Sequence, residues 1–517
     1  MSRAIFKSIS VVGLTTMLSR VTGLLRDMVY SQTFGAGTLM DAFLVAFKIP
    51  NFLRRLFAEG AFSQSFVPVI SEYKVQRDAS AVRGLVSEVA GTLGGVLFVV
   101  TLIGVIAAPL IILLFAPGFT QQAGKYELAV EMLRWTFPYL FFISLTALLS
   151  GVLNSYGRFA LPAFTQVVMN LVMIFFALVV ASHAENPGVA LASGVFIAGV
   201  AQLLIQIPAV ARLGLLARPR WAPAAEDVRR IGRLMLPGIF GSSMAQVSLL
   251  LDTLIASFLV TGSIAWLYYA DRLMEFALGV FSIALATVIL PRLSAEHAAG
   301  NTERFSATLD GALRLVTLIV VPAALGLFVL AGPITATVFG YGAFSANDVR
   351  MTEYGLMAYS WGLIGFSLVK VLAPGYFARQ DTRTPVRVGL IALGVNMTIN
   401  VAVVLPAHYA GFATPFVLLA TSTCLSAAIN ALLLWRGLRR DAVYRPRAGW
   451  RGLLLRALAG NLVMVAVLFW WTAGSGDWLQ LSALERAADL TLAITLGIAS
   501  YGATLWLTGL RPAALRI

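Results

Sequence analysis

Ser19-Arg20-Val21-Thr22-Gly23-Leu24-Leu25-Arg26-Asp27 and Asp41-Ala-Phe-Leu-Val-Ala-Phe-Lys48-Ile-Pro50-Asn51-Phe-Leu-Arg54-Arg55-Leu-Phe-Ala-Glu59 set five basic residues inside two long apolar runs. At bilayer depth a charge costs at least about 2.5–3.5 kcal/mol, so such residues line a cavity or find partners. Bases gathered in this way point to a path for something anionic.

The surrounding chain makes the bilayer reading firm. Of 517 residues, 59% are hydrophobic and only 12% are charged, against about 25% charged in soluble domains. Apolar runs near the roughly 20 residues needed to span a bilayer recur from end to end. They are continuous, not alternating, which excludes a β-barrel. The expected fold is therefore an all-α polytopic membrane protein. The single Cys424 lies inside an apolar run and implies neither disulfide nor metal. Met1 to Ser19 has no small-x-small cleavage site and is read as retained.

Fourteen spans are expected: 8–33, 38–70, 85–115, 130–153, 160–182, 188–211, 232–260, 264–291, 312–339, 352–377, 386–405, 411–435, 452–472 and 487–508. With the N-terminus in the cytoplasm, 27 of the 38 basic residues fall on the cytoplasmic side. The opposite side receives Lys125, Arg134, Arg350 and Arg486. This bias places both termini inside. The net charge of +14 is thus a topology signal, and no nucleic-acid partner is expected. The tracts Ala217–Trp221 and Arg436–Arg451 read as solvated faces near anionic headgroups.

The chain also repeats at an offset of 220–225. Asp27 and Gly37 match Asp252 and Gly262; Pro68 to Glu72 resembles Pro291 to Glu296; Tyr156 to Pro162 resembles Tyr376 to Pro385. The expectation is two parallel six-helix lobes, 1–220 and 221–440, followed by two helices in 441–517. Repeats of this kind place a substrate site between the halves.

The charged residues admit two readings each. Gly13, Thr16, Arg20, Gly23 and Asp27 share a helical face. It is either a small-residue packing face with Arg20 paired to Asp27, or a cavity wall that bends at Gly23. Asp41, Lys48 and Arg55 recur every seven residues, Arg54 lies on the adjacent strip, and Pro50 is expected to kink or unwind the helix. Arg55 and Glu59 are placed to pair. In the eighth span, Asp271, Arg272 and Glu275 form either a self-neutralised cluster or a second cavity wall. Lys370 stands alone in the tenth span, as a snorkelling base or part of a second site. Asp252 and Asp381 are weak candidates for a cation site. Within the spans bases exceed acids by one, so a basic cavity requires that acids pair with some arginines and leave others.

Catalytic signals are absent. His183, His297 and His408 have no second ligand in sequence, and Gly118 to Lys125 is one residue too long for a phosphate loop. No enzyme is expected, and no bound cofactor; transport would draw on an ion gradient or membrane potential.

Ser19-Arg-Val-x-Gly23-x-x-Arg26-Asp27, Phe34-Gly-Ala-Gly37, Asp41 to Asn51, Leu53 to Gln64, Tyr268 to Phe276, Lys370 to Gly375 and Arg379-Gln-Asp381 resemble the MurJ/MviN family of lipid II flippases. The likeness runs nearly the full length and is loosest in the last two spans. It implies fourteen helices around a V-shaped cavity in the bacterial cytoplasmic membrane. It also implies alternating-access translocation of an undecaprenyl-pyrophosphate-linked peptidoglycan precursor, lipid II. Arg20, Arg26, Arg54 and Arg272 fall on the family's cationic cavity positions. Asp41 and Glu59 match acidic positions tied to gating; Asp27, Lys48, Arg55, Asp271 and Glu275 would join a salt network. Helices thirteen and fourteen would form the groove for the lipid tail. Other expected partners are membrane lipids and further cell-wall synthesis proteins, with the chain itself a monomer. Dependence on potential or a monovalent cation varies in the family. Two other functions stay open: export of another lipid-linked oligosaccharide, and a cation-coupled drug antiporter of the same superfamily.

Overall fold

The computed structural model describes the backbone of residues 3–55, 62–279, 284–474 and 476–510, and every regular element among them is helical. Contacts divide the chain into two compact units, 1–264 and 265–517. The first holds α1 (Arg3–Phe34), α2 (Thr38–Arg54), α3 (Ser63–Gln76), α4 (Ala79–Ile106), α5 (Ala108–Phe115), α6 (Lys125–Thr136), α7 (Tyr139–Ser155), α8 (Ala160–Phe175), α9 (Pro187–Ala211) and α10 (Glu226–Ser257). The second holds α11 (Ser263–Leu278), α12 (Ala284–Ala298), α13 (Thr302–Leu315), α14 (Val321–Val329), α15 (Ala331–Phe339), α16 (Ala346–Phe377), α17 (Arg383–Ile399), α18 (Leu405–Tyr409), α19 (Pro415–Arg440), α20 (Trp450–Gly474) and α21 (Ala483–Leu507).

Among the described residues, ten helices or helix runs are long and apolar enough to cross a membrane. They coincide with expected spans three to six and nine to fourteen. The four expected spans not among the ten, 8–33, 38–70, 232–260 and 264–291, are helical as well over their described residues. Three of these four carry the cluster charges, and the fourth carries Asp252. Some boundaries move. The ninth crossing begins at Thr302 and ends at Val329, with α15 a separate short helix after a break at Leu330. The third breaks at Ala107, just before Pro109 opens α5.

Pro50 does not unwind its helix: α2 continues through it to Arg54. A proline removes one helical N–H, which orphans the carbonyl four residues earlier. Here that carbonyl is Ala46 O, and the buried Thr136 hydroxyl of α6 donates to it at 2.7 Å. The lost backbone bond is thus replaced from another helix. Thr136→Val, which keeps the shape and removes the donor, is expected to destabilise the purified protein by about 1–3 kcal/mol. An unchanged thermal midpoint would show that α2 tolerates Pro50 unaided.

Two backbone irregularities recur at a spacing close to that of the sequence repeat. α8 runs into a five-residue π-helical turn at Phe176–Val180, and α17 into another at Asn400–Val404, 224 residues later. That offset lies within the 220–225 of the sequence repeat. The linkers that leave the sixth and twelfth crossings are also clipped alike. Arg220 N donates to Ser87 O, and Ala222 N to Thr92 Oγ1, on α4. Arg445 N donates to Ser306 Oγ on α13. The second clip is reinforced by Asp310, 1% exposed. Its carboxylate accepts from Tyr444 Oη, Trp450 Nε1, Arg447 N and Arg314 Nε.

Helix pairs in both units approach closely at small residues, as expected where lipid supplies no hydrophobic drive between helices. In the second unit a Cβ on Gly365 of α16 would lie 3.0 Å from the backbone of Ala427 and Ala428 on α19. The last helix is held by Arg486. It is buried and donates to the carbonyls of Ala336, Gly340, Leu479 and Leu481, closing the C-terminal end of α15. The sequence had placed Arg486 in a loop.

Candidate functional site

α1 carries its charges as a buried network. Arg26 and Asp27 are 5% and 1% exposed. Arg26 Nη2 lies 2.7 Å from Asp27 Oδ1 and its Nε 3.1 Å, while Nη1 donates to Asn170 Oδ1 on α8 at 3.2 Å. Asn170 returns the contact through Nδ2 to Thr22 Oγ1 and Ser19 O. The Arg26 guanidinium also sits 5.4 Å from the Tyr30 ring centroid. Heptad spacing suggested Arg20 as a partner for Asp27, yet the adjacent Arg26 turns to it. Asn170 makes this possible by fixing the guanidinium plane. Arg20 itself is half-buried on the same helix.

On α2, Lys48 Nζ donates to Thr253 Oγ1 of α10 at 2.6 Å. Arg54 is 8% exposed and donates from Nε to Asn51 Oδ1 at 2.9 Å. It lines a cavity of about 360 Å³ whose polar walls include Ser63, Thr146, Ser150, Asn154, Gln166 and Gln202. Gln202 Nε2 is spent on Thr165 O, and its buried Oε1 has no protein partner among the described residues. A polar cavity with an arginine and a spare amide oxygen suits a hydrated or hydroxyl-rich charged group. Arg55 is half-buried; Glu59 lies outside the described residues.

The N-terminal end of α2 is a second centre. Asp41, 1% exposed, accepts from Lys125 Nζ at 2.8 Å and from Gly262 N at 2.7 Å. Lys125 is equally buried, donates also to Gln122 Oε1, and lies 4.5 Å from the Phe119 ring centroid. Gln122 in turn accepts from Thr261 Oγ1. Beside it, Gly118 N donates to Ser257 Oγ, and a Cβ on Gly118 would stand 2.3 Å from Ser257 O. Only glycine allows that approach. Three segments, at 41, 118–125 and 257–262, are thereby tied together. Sequence reasoning put Lys125 in a loop between spans, on the side opposite the cytoplasm. Its one available signal was its helix-start position, four residues before the buried face of α6.

At the opposite end of α10 lies a more exposed group. Arg230 makes a two-pronged pair with Glu72 at 2.9 and 3.3 Å, and Tyr73 Oη donates to Asp227. Hydrogen bonding from Arg230 holds the Glu72 carboxyl below the usual range. Burial first, then the Asp227 contact, pushes Tyr73 up to about 12.

In the second unit, Arg272 of α11 is one-third exposed, pairs with Glu275 at 3.2 Å and lies 5.7 Å from the Tyr268 ring centroid. Asp271 beside it is half-buried. Of the two cation-site candidates, Asp381 accepts from Thr384 N at 3.0 Å, and its carboxyl is held low by Thr384. It caps the start of α17. Asp252 is half-buried on α10. No cluster of three metal-ligating side chains occurs among the described residues.

Comparison with known proteins bears on the whole chain. The family model "Lipid II flippase MurJ" matches residues 30–488. A Vibrio cholerae protein named probable lipid II flippase MurJ is 45% identical, over 99% of this chain and 97% of its own. The lipid II flippase MurJ of Burkholderia cenocepacia is 40% identical over 99% of both chains. A solved lipid II flippase MurJ in an inward closed conformation superposes with a TM-score of 0.78 at 24% identity, covering 95% of this chain and 97% of that one. An inward-facing multidrug transporter of the MATE family gives a TM-score of 0.66 at 14% identity, over 86% and 99%. These two structures share the all-α polytopic fold. A family match across most of the chain and relatives at 40–45% identity along nearly its whole length establish that this protein belongs to the MurJ lipid II flippase family.

Proposed function

We propose that the chain moves lipid II from the inner to the outer leaflet of the bacterial cytoplasmic membrane by alternating access. The observation that carries this reading is the end-to-end similarity, at 40–45% identity, to proteins named for that activity. Geometry supports it: Arg20, Arg54 and Arg272 sit on membrane helices of limited exposure, where a planar guanidinium suits bidentate contact with a diphosphate. Arg26, bound to Asp27 and Asn170, would shape that wall and hold its charge in place. Asp41, Lys48, Arg55, Asp271 and Glu275 serve the salt network and gating, with Lys125 added to it.

In this reading the chain performs no catalysis, works as a monomer with both termini in the cytoplasm, and contacts membrane lipids and other cell-wall synthesis proteins. Coupling runs through membrane potential or a monovalent cation, with Asp252 and Asp381 as the cation candidates. The arrangement is two six-helix lobes, fourteen helices in all, with the tail groove on the last two. The test is growth and lipid II translocation in cells depleted of their own flippase. Restoration of both is expected. Cells that accumulate lipid II while another lipid-linked oligosaccharide crosses would overturn the substrate assignment.

A further inference from the structure

The cavity beside Arg54 carries chemistry that a diphosphate alone does not use. It holds about 360 Å³ within the first unit and is walled by α7 and α8, with Ser63 of α3 and Gln202 of α9. Along α7 it runs from Ile143 to Asn154, about 16 Å at 1.5 Å per residue. The end at Asn154 and Phe159 flanks the loop of Arg158, which the charge bias places on the cytoplasmic side. A headgroup taken from the inner leaflet approaches from that side.

Arg54 is the one charged residue on these walls among the described residues. One guanidinium does not balance a diphosphate, so the remaining wall serves something else. That remainder is amide and hydrocarbon. Gln202 is 0% exposed; its Nε2 donates to Thr165 O at 2.9 Å, which fixes the amide plane. The other atom of that amide, Oε1, has no protein partner among the described residues. A buried amide oxygen without a donor is unfavourable, so this wall is short of an N–H. Asn154 and Gln166 are half-buried, and Gln166 Nε2 reaches a thioether, Met169 Sδ, at 3.5 Å, a weak acceptor. Beside the amides, Ile143, Ala147, Pro162 and Ala163 supply an apolar strip, and Phe159, 37% exposed, an aromatic face.

A secondary amide that ends in a methyl group answers all of this. Its N–H meets an amide oxygen, its C=O meets an amide N–H, and its methyl group lies on the apolar strip. A hydroxyl in the same place leaves the apolar strip uncovered. In a sugar 1-diphosphate, the carbon that bears the phosphate adjoins carbon 2. A 2-acetamido group can therefore enter the cavity while the phosphate stays at Arg54.

We propose that this cavity reads the 2-acetamido edge of the sugar bonded to the lipid diphosphate, through Asn154, Gln166 and Gln202, with Phe159 against the ring. The inference rests on the reading that the chain moves a lipid-linked sugar diphosphate. It narrows that cargo to lipids whose first sugar is N-acetylated.

The test uses the purified full chain in detergent, with binding read by native mass spectrometry. The probes are undecaprenyl diphosphate N-acetylglucosamine and undecaprenyl diphosphate glucose, which differ only at carbon 2. Wild type should prefer the N-acetylated lipid about tenfold, because a site built to hydrogen-bond a group rejects the analogue that lacks it. Asn154→Leu with Gln166→Leu, both half-buried, should erase the preference while undecaprenyl diphosphate, which has no sugar, still binds. Ala163→Phe, which fills the apolar strip, should erase it too. Equal affinity of wild type for the two lipids would overturn the proposal, and so would an undiminished preference in both variants. Rescue of flippase-depleted cells keeps the two readings apart. A wild-type chain that rescues but shows no sugar preference loses this subsite and keeps lipid II as cargo. One that shows the preference, lost in the variants, but does not rescue keeps the subsite and loses that cargo.

Discussion

Lys125→Met is expected to lower the thermal stability of the purified protein severely, by the equivalent of about 3–5 kcal/mol. The side chain is 1% exposed and its ammonium faces the equally buried Asp41 carboxylate at 2.8 Å. Methionine fills similar volume, so packing is not what is lost. What is lost is the ammonium 2.8 Å from a buried carboxylate, while the Gly262 N–H stays on the same oxygen. The loss should spread, because Lys125 also orders Gln122, which receives Thr261. Asp41→Asn alone should be milder, since an amide oxygen still accepts from Gly262. Combining the two should recover part of the Lys125→Met loss, with a coupling of about 1–3 kcal/mol. Thermal unfolding of the four proteins in one detergent reads the cycle. Strictly additive losses would mean that the pair is not an energetic unit.

That centre also shows where the sequence stops speaking. Lys125 and Asp41 are 84 residues apart, and nothing in either neighbourhood names the other. Local spacing correctly located long apolar helices, because continuous hydrophobicity is a local property. It also brought Arg272 within reach of Glu275, a contact within one helical turn. It failed where a partner came from another helix. Pro50 looked like a break because the compensating donor, Thr136, lies 86 residues further on. Periodicity offered Arg20 as one partner for Asp27, while the adjacent Arg26, bonded to Asn170 on α8, pairs with it. The paired π-helical turns at 176–180 and 400–404 had no signature in the hydrophobic pattern, although a repeat offset of 220–225 was legible in the sequence. Of the candidate arginines, sequence selected positions; it could not sort those locked into neutral pairs from those held more loosely.

This sorting yields the sharpest functional expectation: Arg20→Ala and Arg26→Ala should both abolish rescue of flippase-depleted cells, for different reasons. Arg20 is half-buried on α1, so its truncation should change stability by no more than about 0.5–1 kcal/mol. Its loss should fall on transport. A guanidinium contact with a diphosphate is charge-assisted and contributes about 1.5–3 kcal/mol, so translocation should slow roughly tenfold to a hundredfold. Arg20→Lys keeps the charge but not the fork, and should recover only part of the rate. Arg26 is 5% exposed and bridges Asp27 to Asn170. Removing it takes away the 2.7 Å ion pair of the buried Asp27, at about 3–5 kcal/mol, and should deplete folded protein from the membrane. Asp27→Asn placed on Arg26→Ala should restore folded protein without restoring transport, because the buried negative charge goes but the guanidinium does not return. Two readouts separate the cases: abundance of full-length protein in the membrane, and lipid II translocation per molecule. Full growth with Arg20→Ala would remove that residue from the substrate path. Normal abundance of Arg26→Ala would show that its pair with Asp27 does not support the fold, and would return Arg26 to the set of groups that hold the diphosphate directly.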